Sequence, residues 1–317
     1  IYYNKKIFKL FLLTSCGLVF LASFYTLKSN VVSFTDKNVK LVQPNFSHNE
    51  KWDKKKFFIN QEKLLKLSKN ISRKDSLIIW PETAIVNFPE NIKQELIYIK
   101  DTILAEKSVF LVTGIPRKKV VNNKNYYYNS MIVLDQTGSI VGNYDKNKLV
   151  PFGEYNPFKK FLSSLKIIAS DSEFSKGELI NGKFFSFDDL NLYPMICYEA
   201  IFPFQIRNDK HYDLIINITN DRWFGKTFGP IQHFWLAKQR AIETGIPMVR
   251  VSNSGISSVI APNGREIKSL NFDTSGFLEL KIPKKFDDTL YLKFGEKIYY
   301  LMKLFLIILF LMIKLKM

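Results

Sequence analysis

Residues 193–203 read YPMICYEAIFP, an apolar run that ends in Cys197 and is followed at once by Tyr198 and Glu199. A short apolar run of this kind fits a buried strand, which would deliver the cysteine to the strand's carboxyl end. A cysteine there is either a small core residue or a nucleophile, and the rest of the chain must decide between the two.

Outward from this stretch, short β-rich runs alternate with helical ones. NVKLVQPN (38–45) precedes a helix expected over 50–69, SLIIWPE (76–82) precedes one over 90–107, and VFLVTGIP (109–116) comes next. A hairpin-like pair, SMIVLDQTGSIVGNYDK (130–146), turns at Gln136-Thr137-Gly138. LNLYPMIC (190–197), DLIINITND (213–221) and a helix over 232–244 follow, then a second pair, MVRVSNSGISSVIAPNGREIKSL (248–270), turning at Pro262-Asn263-Gly264. The alternation predicts a layered α/β sheet. No repeat or low-complexity linker divides the region, so one domain is expected over 38–285.

The chain has 317 residues, 46% of them hydrophobic, enough to bury a sizeable core and to exclude disorder as the default. Lys+Arg of 46 against Asp+Glu of 29 gives +17, but the lysines are scattered and no zinc spacing, helix-turn-helix or aromatic RNA signature accompanies them. Nucleic acid is therefore not expected as a partner. Two cysteines, Cys16 and Cys197, make no disulfide framework, and His48, His211 and His233 make no clustered metal site. Neither a metal nor another cofactor is expected. FGKTFG (224–229) lacks the glycine-rich pattern of a phosphate loop, since Asn220 stands five positions before Gly225.

The ends differ from the middle. LFLLTSCGLVFLASFYTL (10–27) is eighteen residues without a charge, preceded by Lys5, Lys6 and Lys9, and reads as a membrane span within 1–30. A secretory signal is the rival, but no small-x-small cleavage site ends the stretch cleanly. At the other end, IYYLMKLFLIILFLMIKLKM (298–317) is apolar apart from its lysines, and 296–317 reads as a second span with interfacial tyrosines. Lysines on both outer flanks put the termini in the cytoplasm and the central domain outside it. A first residue that is Ile1 and not methionine leads us to expect further spans upstream.

Three polar residues end three apolar runs: Glu82 after SLIIWP, Lys146 after GSIVGNYD, and Cys197 after LYPMI. Ligands of open α/β sheets sit beyond the carboxyl ends of strands, so the three side chains are candidates to converge. A cysteine nucleophile needs a base, and here the candidate is the Glu82 carboxylate. Attack on a carbonyl also makes an oxyanion, for which Lys146 and the Tyr198 amide are suited. Singly, each has a plainer reading: a core cysteine, a helix-start acid, one surface lysine among many.

The ordered motifs WPETA (80–84), YDKNKLVPFGEY (144–155), CYEAIFP (197–203) and NDRWFG (220–225) together resemble the nitrilase superfamily and, within it, the apolipoprotein N-acyltransferase family. The resemblance covers about 39–283 and implies a nitrilase-like four-layer αββα sandwich flanked by transmembrane helices. It also implies a general base at Glu82, an oxyanion-stabilising lysine at Lys146 and an acylated nucleophile at Cys197. Lys146 is preferred to Lys148 because it stands eight positions before Glu154, as the family pattern requires. Glu154, Tyr198 and Glu199 look like the family's supporting residues, Trp52 like its tryptophan near the lipid entrance, and Trp223 like another on a loop beside the site, both read as lipid-binding.

The implied reaction is acyl transfer from a phospholipid, with phosphatidylethanolamine the expected donor, through a Cys197 thioester to the α-amino group of a diacylated apolipoprotein. The implied location is the bacterial inner membrane, multi-pass, with the catalytic domain facing the periplasm. NYYYN (125–129), NPFKKFL (156–162) and RWFGKTFG (222–229) are read as aromatic loops that exclude water at the membrane interface. A membrane-tethered carbon–nitrogen hydrolase with the same three residues is the alternative. A non-enzymatic docking domain is the third, disfavoured by the presence of all three reactive types in matching contexts.

Overall fold

The computed structural model describes residues 31–69, 76–104, 108–157, 173–179, 184–203, 206 and 212–315, together with Leu13 and Gly17. The strands are β1 (Phe34–Gln43), β2 (Ser76–Ile79), β3 (Val109–Val121), β4 (Lys124–Leu134), β5 (Ile140–Asp145), β6 (Phe185–Phe187), β7 (Leu190–Ile196), β8 (Leu214–Thr219), β9 (Met248–Ser252), β10 (Ser257–Ile260), β11 (Glu266–Leu270) and β12 (Gly276–Pro283). They form two mixed six-stranded sheets, ordered β12-β1-β2-β3-β4-β5 and β11-β10-β9-β8-β7-β6. Both share one plan. Three parallel strands, β1-β2-β3 in one sheet and β7-β8-β9 in the other, are flanked by antiparallel neighbours.

Three of the parallel strands are buried throughout: SLII of β2, LIINIT of β8 and MVRVS of β9 have no exposed position. Continuous apolar runs are what strands covered on both faces require. One face of each sheet meets the other, with Val39, Leu77, Val112 and Val133 packing in one core with Ile196, Leu214, Ile216 and Val249. The outer face of the first sheet packs on α2 (Phe57–Ser68) and α3 (Lys93–Ile103), through Ile78, Trp80 and Ile132 against Leu64, Leu65 and Ile99. The outer face of the second packs Met195, Ile215 and Met248 on Phe234, Ala237 and Ala241 of α4 (Gly229–Thr244). The order is helix, sheet, sheet, helix, a nitrilase-like α/β sandwich.

Several expected elements change at their ends. The helix over 50–69 is broken into α1 (His48–Trp52), a 3-10 turn over Lys54–Lys56 and α2, because Asp53 takes an extended conformation. A capping box between Ser47 and Glu50 starts α1. The helix expected over 90–107 is α3, preceded by a 3-10 turn at Pro89–Asn91. α4 stops at Gly245, whose φ of +70° is the left-handed C-cap that glycine takes without strain. NYYYN is not a loop. It lies within β4, which pairs with β3 across a turn at Asn122 and Asn123, both at positive φ (+50° and +58°) as a tight hairpin demands.

The membrane expectations fare differently at the two ends. Apart from Leu13 and Gly17, the span within 1–30, Cys16 included, lies outside the described residues, as do residues 158–162. At the C-terminus, α5 (Leu290–Phe294) is followed by α6 (Lys297–Leu315), which exposes Leu301, Met302, Leu304 and Phe305. Among the described residues, however, no helix is long and apolar enough to cross a membrane. This corrects the second span. Lys303 and Lys314 bracket ten uncharged residues, and ten residues of helix rise ~15 Å against a hydrocarbon core of ~30 Å.

Candidate active site

Glu82 follows β2, Lys146 follows β5 directly, and Cys197 follows β7 directly. The two sheets thus contribute to one cluster at strand ends. Cys197 occupies the left-handed region, at φ +51°, as the first residue of a 3-10 turn over Cys197–Ile201. A non-glycine residue there is uncommon, and such conformations persist where their surroundings over-determine them. Beneath Glu82 the chain passes so close to β3 that a Cβ on Gly114 would lie 2.3 Å from the Thr83 nitrogen and 2.7 Å from the Glu82 Cα. Glycine is required there by the close approach.

The reactive side chains are withdrawn from solvent: Cys197 is 8% exposed, Glu82 4% and Lys146 1%. Lys146 Nζ donates to Glu154 Oε1 at 2.9 Å and to Glu82 Oε1 at 3.3 Å. The Asn129 amide donates to the same two oxygens, at 2.7 Å for Glu82 and 2.9 Å for Glu154. Glu154 is fixed in turn by the Val150 N–H on Oε2 at 2.9 Å. Glu82 Oε2 is buried without an N–H or O–H partner, which leaves an acceptor beside the thiol.

Burial alone would push the Glu82 carboxyl up, but Lys146, the Asn129 amide, Lys51 and the Cys197 thiol outweigh it and hold the group below its usual range. Lys146 is likewise opposed by burial, and the charges of Glu82, Cys197 and Glu154 keep it protonated well beyond an ordinary lysine. Burial, then the Glu82 charge, pushes the Cys197 thiol up to about 12. At neutral pH the cluster therefore holds thiol, carboxylate and ammonium. It is set for proton transfer to Glu82 during attack and does not store a thiolate.

Glu199 ties the two sheets' contributions together. Fully buried, it accepts from the Tyr144 hydroxyl at 2.6 Å, the Asn147 N–H at 2.7 Å and the Lys148 N–H at 3.1 Å beside Lys146, and from the Ile196 N–H at 2.8 Å beside Cys197. Tyr198 stacks edge-on against Phe202, its ring centroid 5.0 Å away. Trp52 and Trp223 are 45% and 67% exposed, on α1 and on the 3-10 turn Asp221–Phe224. Trp223 shares its loop with exposed Phe224 and Phe228.

Three participants carry little signal in the sequence. Asn129 stands at the end of the tyrosine run. Lys51, beside Trp52, is buried and donates to the Glu82 carbonyl at 2.8 Å, and burial brings its ammonium down to about 8 despite Glu82 and Cys197. His233 on α4 faces the Cys197 carbonyl, Nε2 to O 3.1 Å. Among the described residues no group of His, Cys, Asp and Glu is arranged to hold a metal.

Residues 38–286, from the first strand through the last, match the carbon–nitrogen hydrolase family. The chain belongs to that family. Among curated relatives it is 38% identical over 272 residues to the apolipoprotein N-acyltransferase of Rickettsia prowazekii (strain Madrid E), an alignment covering 84% of this chain and 54% of the relative. To that of Wigglesworthia glossinidia brevipalpis it is 34% identical over 302 residues, covering 93% and 58%. The chain thus spans about half the length of the curated relatives it matches. Among solved structures, an amidase of the nitrilase superfamily from Nesterenkonia AN1 superposes with a TM-score of 0.55 at 18% identity, over 80% of this chain and 94% of that one. A carbon–nitrogen hydrolase from Helicobacter pylori G27 gives 0.57 at 17%, over 78% and 89%. At that identity the likeness establishes the fold.

Proposed function

We propose that this chain carries the catalytic domain of an apolipoprotein N-acyltransferase, with Cys197 as nucleophile, Glu82 as general base and Lys146 as oxyanion stabiliser. The observation that carries the reading is the convergence of the Glu82 carboxylate, Lys146 ammonium and Cys197 thiol in a family member whose curated relatives are N-acyltransferases.

In the first half-reaction Cys197 Sγ attacks the ester carbonyl of a phospholipid, phosphatidylethanolamine being the donor we favour. Glu82 takes the thiol proton, and Lys146 with the Tyr198 N–H stabilises the oxyanion. The C–O bond breaks, Glu82 returns the proton to the leaving alkoxide, and a lysophospholipid departs from the Cys197 thioester. In the second half-reaction the α-amino group of a diacylglyceryl-cysteine attacks that thioester. Glu82 accepts the amine proton, the C–S bond breaks, and the amide forms as the proton returns to sulfur. A thioester suits this sequence because it stays reactive towards amines. Glu154 and Glu199 hold Lys146 and the Cys197 turn in register, and Tyr198 contributes its amide.

The substrates place the reaction at a bilayer, the bacterial inner membrane with the domain on the periplasmic side. Attachment would use the exposed apolar side of α6 and the membrane span within 1–30, while Trp52 and Trp223 meet the incoming lipid. Hydrolysis of carbon–nitrogen bonds with water as acceptor is the second reading, in keeping with the carbon–nitrogen hydrolase family to which the chain belongs. Incubating the protein with labelled phosphatidylethanolamine and a diacylated lipopeptide separates the two: label appearing in the peptide amide supports acyl transfer, and turnover of simple amides without it supports hydrolysis.

A further inference from the structure

Behind Cys197, on the side of the second sheet, lies a buried polar network that the proposed mechanism does not use. Asp221 opens the 3-10 turn that follows β8, Arg250 belongs to β9 and His233 to α4, and all three are buried. Arg250 Nη2 donates to both Asp221 oxygens, at 3.1 and 3.0 Å, and approaches His233 Nδ1 at 3.2 Å. Ser252 Oγ donates to Asp221 Oδ2 at 3.0 Å and itself accepts the Gly255 N–H at 2.8 Å. A Cβ on Gly255 would fall 1.9 Å from Asp221 Oδ2, so the backbone is folded tightly around this carboxylate. Asp221 Oδ1 meets His233 Nδ1 at 2.7 Å, and the other ring nitrogen, Nε2, reaches the Cys197 carbonyl at 3.1 Å. A carbonyl oxygen and a carboxylate oxygen only accept, so Nε2 donates to the Cys197 carbonyl and Nδ1 donates to Asp221.

The peptide that His233 grasps is the one joining Cys197 to Tyr198. In a trans peptide the C=O and N–H point to opposite sides of the same plane. Fixing the carbonyl therefore fixes the direction of the Tyr198 N–H, and a hydrogen bond to the oxygen polarises the unit so that its N–H donates more strongly. The residue whose carbonyl is held has a left-handed φ, which needs support from its surroundings. We propose that His233 is a positioning residue: held by Asp221, which Arg250 fixes in turn, it clamps the Cys197 carbonyl and thereby aims the Tyr198 N–H at the oxyanion formed when Cys197 is acylated. The assignment rests on the acyl-transfer reading of this site.

Two reactions of the same sulfur test it. Acylation of Cys197 by an ester passes through an oxyanion, whereas alkylation by iodoacetamide does not. With the full chain in phosphatidylethanolamine/phosphatidylglycerol vesicles, followed by intact mass, His233→Leu should slow acylation about 10- to 100-fold, less than outright loss of an oxyanion donor. Iodoacetamide alkylation should stay within about threefold of wild type, because the thiol and Glu82 are untouched. His233→Gln, whose side-chain amide also presents an N–H, should recover acylation to within about tenfold. Equal losses in both reactions, or acylation by His233→Leu at the wild-type rate, would overturn the assignment. If His233→Leu does not fold, the same comparison on His233→Gln decides, with parallel loss of acylation and alkylation counting against it. A wild-type protein that forms no acyl adduct sinks the acyl-transfer reading as well; a wild-type adduct with no effect of His233 sinks this assignment alone.

Discussion

Lys146 Nζ donates to Glu154 Oε1 at 2.9 Å, a closer contact than the 3.3 Å it keeps to Glu82. The ammonium is thus anchored mainly by a carboxylate that takes no part in proton transfer, and Glu82 keeps its second oxygen available.

The first prediction follows from that anchoring. In Glu154→Gln, Lys146 loses its closer carboxylate and turns to Glu82, weakening the base. The rate of Cys197 acylation should fall about 10- to 100-fold while the melting temperature changes little, as quenched-flow mass analysis and calorimetry would read.

Glu82→Gln should act in opposite directions on two reactions. Acylation loses its base and slows by about 10²-fold or more. The Cys197 thiol, held up to about 12 by burial and then by the Glu82 charge, comes down when that charge is removed. Alkylation of Cys197 at pH 9–10 should therefore become faster than in wild type, which a pH series with iodoacetamide would record. An unchanged alkylation profile would remove Glu82 from the thiol's electrostatics.

Asp221 supplies a pH-dependent stability. Burial opposes its charge, but Arg250 and His233 hold its folded pKa far below the ordinary aspartate value, so the unfolded chain takes up the proton first as pH falls. The stabilisation is complete above that ordinary value, near 3.8, and is lost as the pH drops below it. Asp221→Asn strands the buried Arg250 charge and should cost about 3–5 kcal/mol at pH 7. Its denaturation midpoints should also depend less steeply on pH between 2 and 4 than those of wild type.

Glu199→Ala leaves the Tyr144 hydroxyl and three backbone N–H groups without their common acceptor. A loss of about 3–5 kcal/mol is expected, measured by urea denaturation, with activity falling alongside because both the Lys146 and the Cys197 segments lose their tie.

How far the sequence is readable follows from the range of each interaction. Apolar runs report strands, and strand ends report where polar side chains gather, so Glu82, Lys146 and Cys197 stand out in the chain and meet in the fold. Their partners do not. Asn129 reaches Glu82 only because the β3–β4 hairpin extends to Asn122-Asn123, and in the sequence the stretch before it reads as an aromatic loop. Lys51 is buried near the end of a helix that stops at Asp53 where a longer one is expected, and His233 meets the site through a backbone carbonyl, which leaves no trace in residue type. At the C-terminus, overall apolarity suggested a span, but the spacing of Lys303 and Lys314 limits the uncharged run to ten residues.

The central claim, that Cys197 is acylated by a phospholipid, is tested most directly by intact-mass and peptide analysis after incubation with phosphatidylethanolamine vesicles. One acyl chain, released by neutral hydroxylamine and mapped to the peptide containing Cys197, is the predicted result, with no adduct on Cys197→Ala. An acyl adduct that persists in Cys197→Ala, or a wild-type protein that stays unmodified while it transfers acyl chains to a diacylated lipopeptide, would contradict it.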